Sequence, residues 1–369
     1  MHDDNFLEQK LISRKNEGSY RVLKTGSTGA DFSSNDYLGI AKNALLTPDT
    51  EKLRHGSTGS RLLTGNSILA ETLENTIADF HNGDAALLFN SGYDANLGVL
   101  SAITQKGDTI LYDFLSHASI RDGLRLSQAD SFPFRHNDTA DLAARLQSAK
   151  GNVFVVTESV FSMDGDIAPL TDFCGLCDQY GAHLIVDEAH ATGIVGPSGS
   201  GVVQLLGLQD RCFARIYTFG KAVGCHGAAV VGSLRLKDYL INFSRNFIYT
   251  TALPDVTIGA IASSYQLFPG MNSERGHLEK LIATFQASGL AYERLKSETP
   301  IQGVIVPGNG EVKKISSMLA DAGLDVRPIL YPTIPKGSER LRIVLHSFNT
   351  TSELAMLIKL LSQKIGPTH

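Results

Sequence analysis

Short apolar runs and helix-spaced segments take turns through the middle of the chain. Ala85–Phe89, Thr109–Tyr112, Asn152–Val156, His183–Val186 and Ile216–Thr218 are rich in Val, Ile, Leu and Ala and lack polar alternation, which predicts strands buried on both faces. Between them, Asn96–Thr104, Ser119–Ser127, Thr139–Ala149 and Pro169–Tyr180 read as helices. Strands alternating with helices predict an α/β fold around a large, mostly parallel sheet. In such sheets the loops past the carboxyl ends of the strands build the site. Upstream, Phe6–Asn16 predicts a short amphipathic helix, and Ser67–Phe80 a stronger one with Leu69, Leu73, Ile77 and Phe80 on one face. Downstream, Pro254 opens helical segments reaching about Leu295. A small α+β unit follows, with strands at Val304–Val306, Val326–Leu330 and Leu341–Leu345 and helices at Val312–Ala322 and Thr351–Ile365. The division expected is an N-terminal helix and segment over 1–45, a large α/β domain over 46–265 and a small C-terminal domain over 266–369. The last boundary crosses a helix between Leu253 and Ser297 rather than a linker.

Composition narrows the function classes. A chain of 369 residues, 43% hydrophobic and 19% charged, is globular rather than disordered. Lys+Arg 33 against Asp+Glu 38, a net charge of -5, with no long basic run, argues against wrapping nucleic acid or lying on an anionic membrane. No stretch approaches the roughly 18 apolar residues of a membrane span. The start, Met1-His2-Asp3-Asp4-Asn5, is acidic and unlike a secretory signal. Four cysteines in this length make no disulfide framework. The expectation is a soluble, cytoplasmic enzyme.

Several strand ends carry chemistry. Thr218-Phe219-Gly220-Lys221-Ala222-Val223-Gly224 sets a lysine past a buried strand among small residues, where its amine can be activated toward an aldehyde. A phosphate-binding Walker loop is excluded, because it needs a glycine where Arg215 stands. His183 through His190 delivers Asp187 at a strand end with His190 on the following loop. Asp-Glu-Ala-His is also a helicase-type motif, but no Gly-Lys-Ser/Thr loop accompanies it; capping by Asp187 is the plain account, and a carboxylate that keeps a ring nitrogen protonated is the alternative use. Ser91-Gly92-Tyr93, between a strand and a helix, offers backbone N–H groups and a hydroxyl to an anion; capping by Ser91 is the simpler account of these residues alone. His117 also follows a strand end, and as a lone histidine reads as structural. Glu158 through Asp166 suggests a turn, with spacing unlike an EF-hand. Arg340 and Arg342 share one face of a predicted strand, as an anion clamp or as a solvated strand face. Cys174 and Cys177 have redox spacing but lie mid-helix, so they read as core, and Cys212 and Cys225 are equally plain. No zinc-spaced cluster and no Gly-x-Ser-x-Gly elbow occurs.

Together these segments resemble the α-oxoamine synthase family, pyridoxal-phosphate enzymes of the aspartate-aminotransferase fold (fold type I). The resemblance runs from Phe32 to His346, through Phe32–Gly39, Gly56–Arg61, Ser91–Tyr93, Asp113–Ser119, Phe161–Asp166, Asp187–His190, Thr218–Lys221 and Pro332–Pro335 leading to Arg342. It implies that Lys221 bonds pyridoxal 5'-phosphate and later moves protons at the amino acid's α-carbon. Asp187 would pair with the pyridine nitrogen, His190 with the phenolic oxygen, and His117 would stack on the ring. Ser91, Gly92, Tyr93 and Thr218 would hold the phosphate and neighbouring ring, with Ser162 near the ring substituents. Arg342 would bind the substrate carboxylate, Asn35 would line the amino-acid pocket, and Arg21 would meet the far carboxylate of the acyl group. The resemblance implies a homodimer with sites at the interface, Thr251 reaching the partner's phosphate.

The implied reaction is decarboxylative condensation of an amino acid with an acyl thioester on CoA or acyl-carrier protein, first alanine with a pimeloyl group, as in biotin synthesis. Glycine or serine with another acyl group is the alternative, and an aminotransferase or a non-catalytic partner subunit a more distant one. The chain departs from the family pattern at Ala70, where many members carry His, in a short Asn43–Leu53, and at Cys225-His226.

Overall fold

The computed structural model describes residues 4–23, 25–26, 29–47 and 52–364. The chain forms two compact units: Leu38–Ser162 with Ile167–Arg275, and Met1–Tyr37 with Met163–Asp166 and Gly276–His369. This differs from the three-part division expected at 45 and 265. The N-terminal stretch is no separate part, because it groups with the C-terminal unit. The C-terminal boundary falls at Gly276, within helix Asn272–Ala287.

The larger unit is organised by seven strands: β1 (Ala85–Phe89), β2 (Thr109–Asp113), β3 (Asp130–Phe134), β4 (Val153–Glu158), β5 (His183–Asp187), β6 (Cys212–Thr218) and β7 (Ala228–Gly232). Their order across the sheet is β1-β7-β6-β5-β4-β2-β3. Only β7 runs antiparallel to its neighbours. The carboxyl ends of the other six therefore share one edge. β1 and β4 are buried along their whole length, as their unbroken apolar sequence requires. One face of the sheet packs on Ala95, Val99, Leu100, Ile120 and Leu124 from the helices after β1 and β2. Burial of each Leu, Ile or Val there contributes roughly 1.5–3 kcal/mol. Two strands escape the apolar-run criterion. β3 lies at the sheet edge, is partly exposed and contains Pro133, which an edge tolerates. β7 is built from Ala and Val beside glycines and hairpins back from β6.

Helix starts follow local capping chemistry. Ser67 accepts from the Ala70 N–H ahead of helix Ile68–Phe80, and Ser91 from the Asp94 N–H ahead of helix Gly92–Ile103. The expected run from Pro254 to Leu295 is two helices, Asp255–Leu267 and Asn272–Ala287, parted by a turn at Phe268–Gly270 that includes Pro269.

In the smaller unit, strand Arg340–Val344 is central between Arg327–Ile329 and Ile301–Ile305, antiparallel to both. Helices Asn309–Asp321 and Thr351–Leu361 accompany them, the second opened by a Thr350/Glu353 capping box. Helix Thr351–Leu361 ends before the expected Ile365, a residue outside the described set. Helix Glu8–Asn16, after a turn at Asn5–Leu7, forms where expected, and Phe6, Leu7, Leu11 and Ile12 are exposed along it. The segment expected to lack a full helix, Asn43–Leu53, has no helix among its described residues; 48–51 lie outside them.

Candidate active site

Three acidic or basic side chains meet at the carboxyl edge of the large sheet because adjacent strands end in register. Glu158 closes β4 directly beside Asp187, which closes β5, and Asp187 in turn pairs with Ile216 of β6. Past the end of β6 the chain turns sharply: the Phe219 N–H reaches the Gly227 carbonyl and the Gly224 N–H reaches that of Lys221. Gly224 has a positive φ of 68°, and a Cβ there would sit 2.6 Å from Ile40 Cγ2. This tight loop carries half-buried Lys221.

Asp187 is 5% exposed. Its Oδ1 accepts from the Ala189 N–H at 2.9 Å and its Oδ2 from the Asn96 amide at 2.8 Å. The Asn96 amide also donates to Ser119 Oγ at 3.0 Å, which lies 2.8 Å from His117 Nδ1. His117 keeps part of its surface exposed while its ring is largely packed in, its side chain caps helix Ala118–Leu126, and its backbone N–H donates to Glu158 Oε1 at 2.7 Å. Burial lowers the His117 pKa; the Asp187 carboxylate opposes that shift and the Lys221 charge adds to it. Burial, helped by the Asp187 charge and opposed by that of Lys221, raises the Glu158 carboxyl to about 8. His117, Asp187, Glu158 and Lys221 thus share one electrostatic neighbourhood.

Glu188, next to Asp187, has a different task. It is fully buried and accepts from Ser159 Oγ and from the N–H groups of Val202 and Val203. Burial raises its pKa. These bonds fix the loop that follows β5, on which His190 is buried.

A capped helix start follows the end of β1. Ser91 caps helix Gly92–Ile103, accepting from the Asp94 N–H. A Cβ on Gly92 would come within 2.3 Å of Thr218 Cγ2, so only glycine lets Thr218 approach the helix start. Thr218 Oγ1 is buried and has no hydrogen-bond partner among the described residues. Tyr93 is exposed and its hydroxyl donates to Asp122. Ser162 is half-buried. Thr251 is exposed, its carbonyl held by the Asn90 amide at 2.9 Å.

The remaining predicted residues lie in the smaller unit. Arg342 is buried mid-strand and its guanidinium donates to Asn35 Oδ1 at 3.0 Å. The Tyr37 hydroxyl donates to the same oxygen at 3.3 Å, and burial pushes that phenol up to about 12 against the pull of Arg342. Arg340 does not share an anion clamp with Arg342, because it is ion-paired to Asp164. It is not on a solvated strand face either: both arginines are more than nine-tenths buried. Arg21 is exposed. Cys174 and Cys177 are buried and unpaired, and burial raises the Cys177 and Cys225 thiols to about 12.

Asn96, Ser119 and Glu158 were not singled out by sequence. Each is a common capping or surface residue type; strand register brings Glu158 beside Asp187, and helices Gly92–Ile103 and Ala118–Leu126 bring Asn96 and Ser119 to Asp187 and His117. The short spacing of His117 and Ser119 was the one available signal.

The model of the class I and II aminotransferase family matches residues 27–361. The chain belongs to that family. The 8-amino-7-oxononanoate synthase of Emericella nidulans is 43% identical over 95% of this chain and 92% of its own. A high-resolution structure of SPT with PLP superposes with a TM-score of 0.88 at 26% identity, covering 98% of both chains. The crystal structure of 8-amino-7-oxononanoate synthase from Francisella tularensis gives 0.76 at 30% identity, over 91% of this chain and 97% of that one. The fold is that of the PLP-dependent aminotransferases, with its large mostly parallel sheet. No described helix is long and apolar enough to cross a membrane.

Proposed function

We propose that this family member is an acyltransferase that condenses alanine with a pimeloyl thioester, releasing CO2 and a free thiol and giving 8-amino-7-oxononanoate for biotin synthesis. The observation that carries the reading is 43% identity, over nearly the full length of both chains, to a synthase of that name, joined to a lysine, a carboxylate and a histidine at one sheet edge. The local chemistry suits pyridoxal phosphate. An orphaned buried hydroxyl at Thr218 sits against a helix start that only glycine permits, as a bound phosphate requires. Asp187, itself held by two donors, is suited to face a cationic ring nitrogen.

When bound, pyridoxal phosphate supplies a sink for the electron pair left at the amino acid's α-carbon. Lys221 would hold the coenzyme through its amine and would remove and return the α-proton of the amino acid. Asp187 would keep the ring nitrogen protonated, His190 would bond the phenolic oxygen and His117 would pack on the ring face. Ser91, Gly92, Tyr93 and Thr218 hold the phosphate, with Ser162 beside the ring substituents. Arg342 binds the amino acid's carboxylate, supported by Asn35, and Arg21 meets the distal carboxylate of the pimeloyl chain. The α-carbon bonds the thioester carbonyl, the thiolate leaves and takes a proton, and the amino acid's carboxyl departs as CO2. In a homodimer, exposed Thr251 reaches the partner's phosphate.

The likeness to SPT favours one alternative, a serine-using condensation with a long acyl chain. A panel of alanine, glycine and serine against pimeloyl-, acetyl- and palmitoyl-CoA, scored by thiol and CO2 release, separates these readings. Alanine with pimeloyl-CoA should give the highest kcat/KM. A preference for serine with palmitoyl-CoA, or amine transfer without CO2, would contradict the proposal.

A further inference from the structure

Asn96 has no part in the scheme above, yet it bonds two of the groups that scheme depends on. It is 2% exposed on helix Gly92–Ile103. Asp187 fixes which way its amide points. An ionised carboxylate only accepts, so the NH2 end must face Asp187 Oδ2 at 2.8 Å. The same NH2 faces Ser119 Oγ at 3.0 Å. An NH2 only donates, so the Ser119 oxygen accepts there and its own proton must point elsewhere. Among the described residues, the other side-chain partner of that hydroxyl is His117 Nδ1, at 2.8 Å. The backbone N–H of Ser119 donates to the same nitrogen at 3.2 Å. His117 Nδ1 therefore receives two donors and carries no proton, and a neutral imidazole then carries its proton on Nε2.

We infer that Asn96 is a positioning residue that pins the Asp187 carboxylate and, through the Ser119 hydroxyl, holds His117 as the neutral Nε2–H tautomer. The donors then run outward from Asn96, to Asp187 on one side and through the Ser119 hydroxyl to His117 on the other. His117 Nε2 is left as a donor, able to bond a substrate oxygen but not to take a proton. Proton removal at the α-carbon falls to Lys221. The charged groups around His117 are Asp187 and Asp122, which favour its protonation, and Lys221, which opposes it; Glu158 holds its backbone N–H. Burial is the largest influence and favours the neutral ring.

The catalytic consequence rests on His117 and Asp187 flanking the coenzyme, but the donor order belongs to the chain itself. It is tested by 15N NMR of histidine-labelled full-length protein, with and without pyridoxal phosphate, the His117 signals being those lost in His117→Asn. At neutral pH, Nδ1 should give the shift of an unprotonated ring nitrogen and Nε2 that of a protonated one; the reverse order would overturn the proposal. Asn96→Asp replaces the donor with an acceptor, turns the Ser119 proton toward position 96 and should move the His117 proton to Nδ1. An unchanged order in a folded Asn96→Asp protein would also overturn it. Should that variant not fold, Ser119→Ala removes a donor to the neutral ring and should shift the His117 titration upward, with Ser119→Thr restoring it. A midpoint unmoved by Ser119→Ala counts against the proposal. The expected nitrogen order in a chain that binds no pyridoxal phosphate would support this inference while removing the functional reading.

Discussion

The two units carry their charged groups differently. In the larger one, Asp187 and Glu158 end their strands, and Lys221 and His117 lie a few residues beyond a strand end. In the smaller one, Arg340 opens and Arg342 centres a strand flanked by neighbours on both sides. A group just past a strand end can be held by backbone and neighbours yet keep one face accessible, as His117 does. A charged group inside a sheet must be matched within the protein, and Arg340 is matched by Asp164. Arg342 looks like its twin by sequence and burial, and its guanidinium donates to the amide oxygen of Asn35. In the proposed function it is Arg342, and not the Asp164-paired Arg340, that meets the substrate carboxylate.

The comparison can be broken first at the strand ends. Asp187→Ala removes the carboxylate that Asn96 and the Ala189 N–H hold, and should lower kcat/KM on the order of 100-fold or more, measured by thiol release. Near-normal turnover would mean the β5 end is structural. Next come the arginines. Arg342→Ala should raise the KM for the amino acid by about tenfold or more at little cost in stability. Arg340→Ala breaks a buried pair, and should cost about 3 kcal/mol in denaturant unfolding while the KM stays close to wild type. Equal kinetic effects would erase the distinction between them.

The smallest effect concerns Glu158. Its folded-state pKa of about 8 lies above its unfolded value. The folded state holds a proton that the unfolded state has lost, so this contribution to stability is full below the unfolded value near 4.5 and declines as pH rises toward about 8. Glu158→Gln keeps an acceptor for the His117 N–H and cannot ionise, so its melting temperature should fall less steeply with pH across that window. An identical slope would place Glu158 outside the site's electrostatics.

Much of the larger unit was legible because a sheet covered on both faces writes its strands as unbroken apolar runs, as in β1, β4 and β5. β3 was not, since an edge strand with Pro133 looks like a loop, and β7 was not, since small residues beside glycines look like a turn. Lys221, Asp187 and His190 could be located from their place after a strand, but a lone His117 could not, and its assignment came from family resemblance. Asn96, Ser119 and Glu158 stayed hidden because their partners lie on other strands and helices, 23 to 91 residues away for the side-chain bonds from Asn96 and 41 for that from His117 to Glu158. The pairing of Arg340 with Asp164 spans 176 residues and was hidden for the same reason.

The account stands on Lys221 as the residue that bonds the coenzyme aldehyde. Borohydride reduction of the protein loaded with pyridoxal phosphate, followed by peptide mass mapping, tests this directly. The modification should fall on the peptide containing Lys221 and vanish in Lys221→Ala. A reduced adduct on another lysine, or one that survives that substitution, would contradict it.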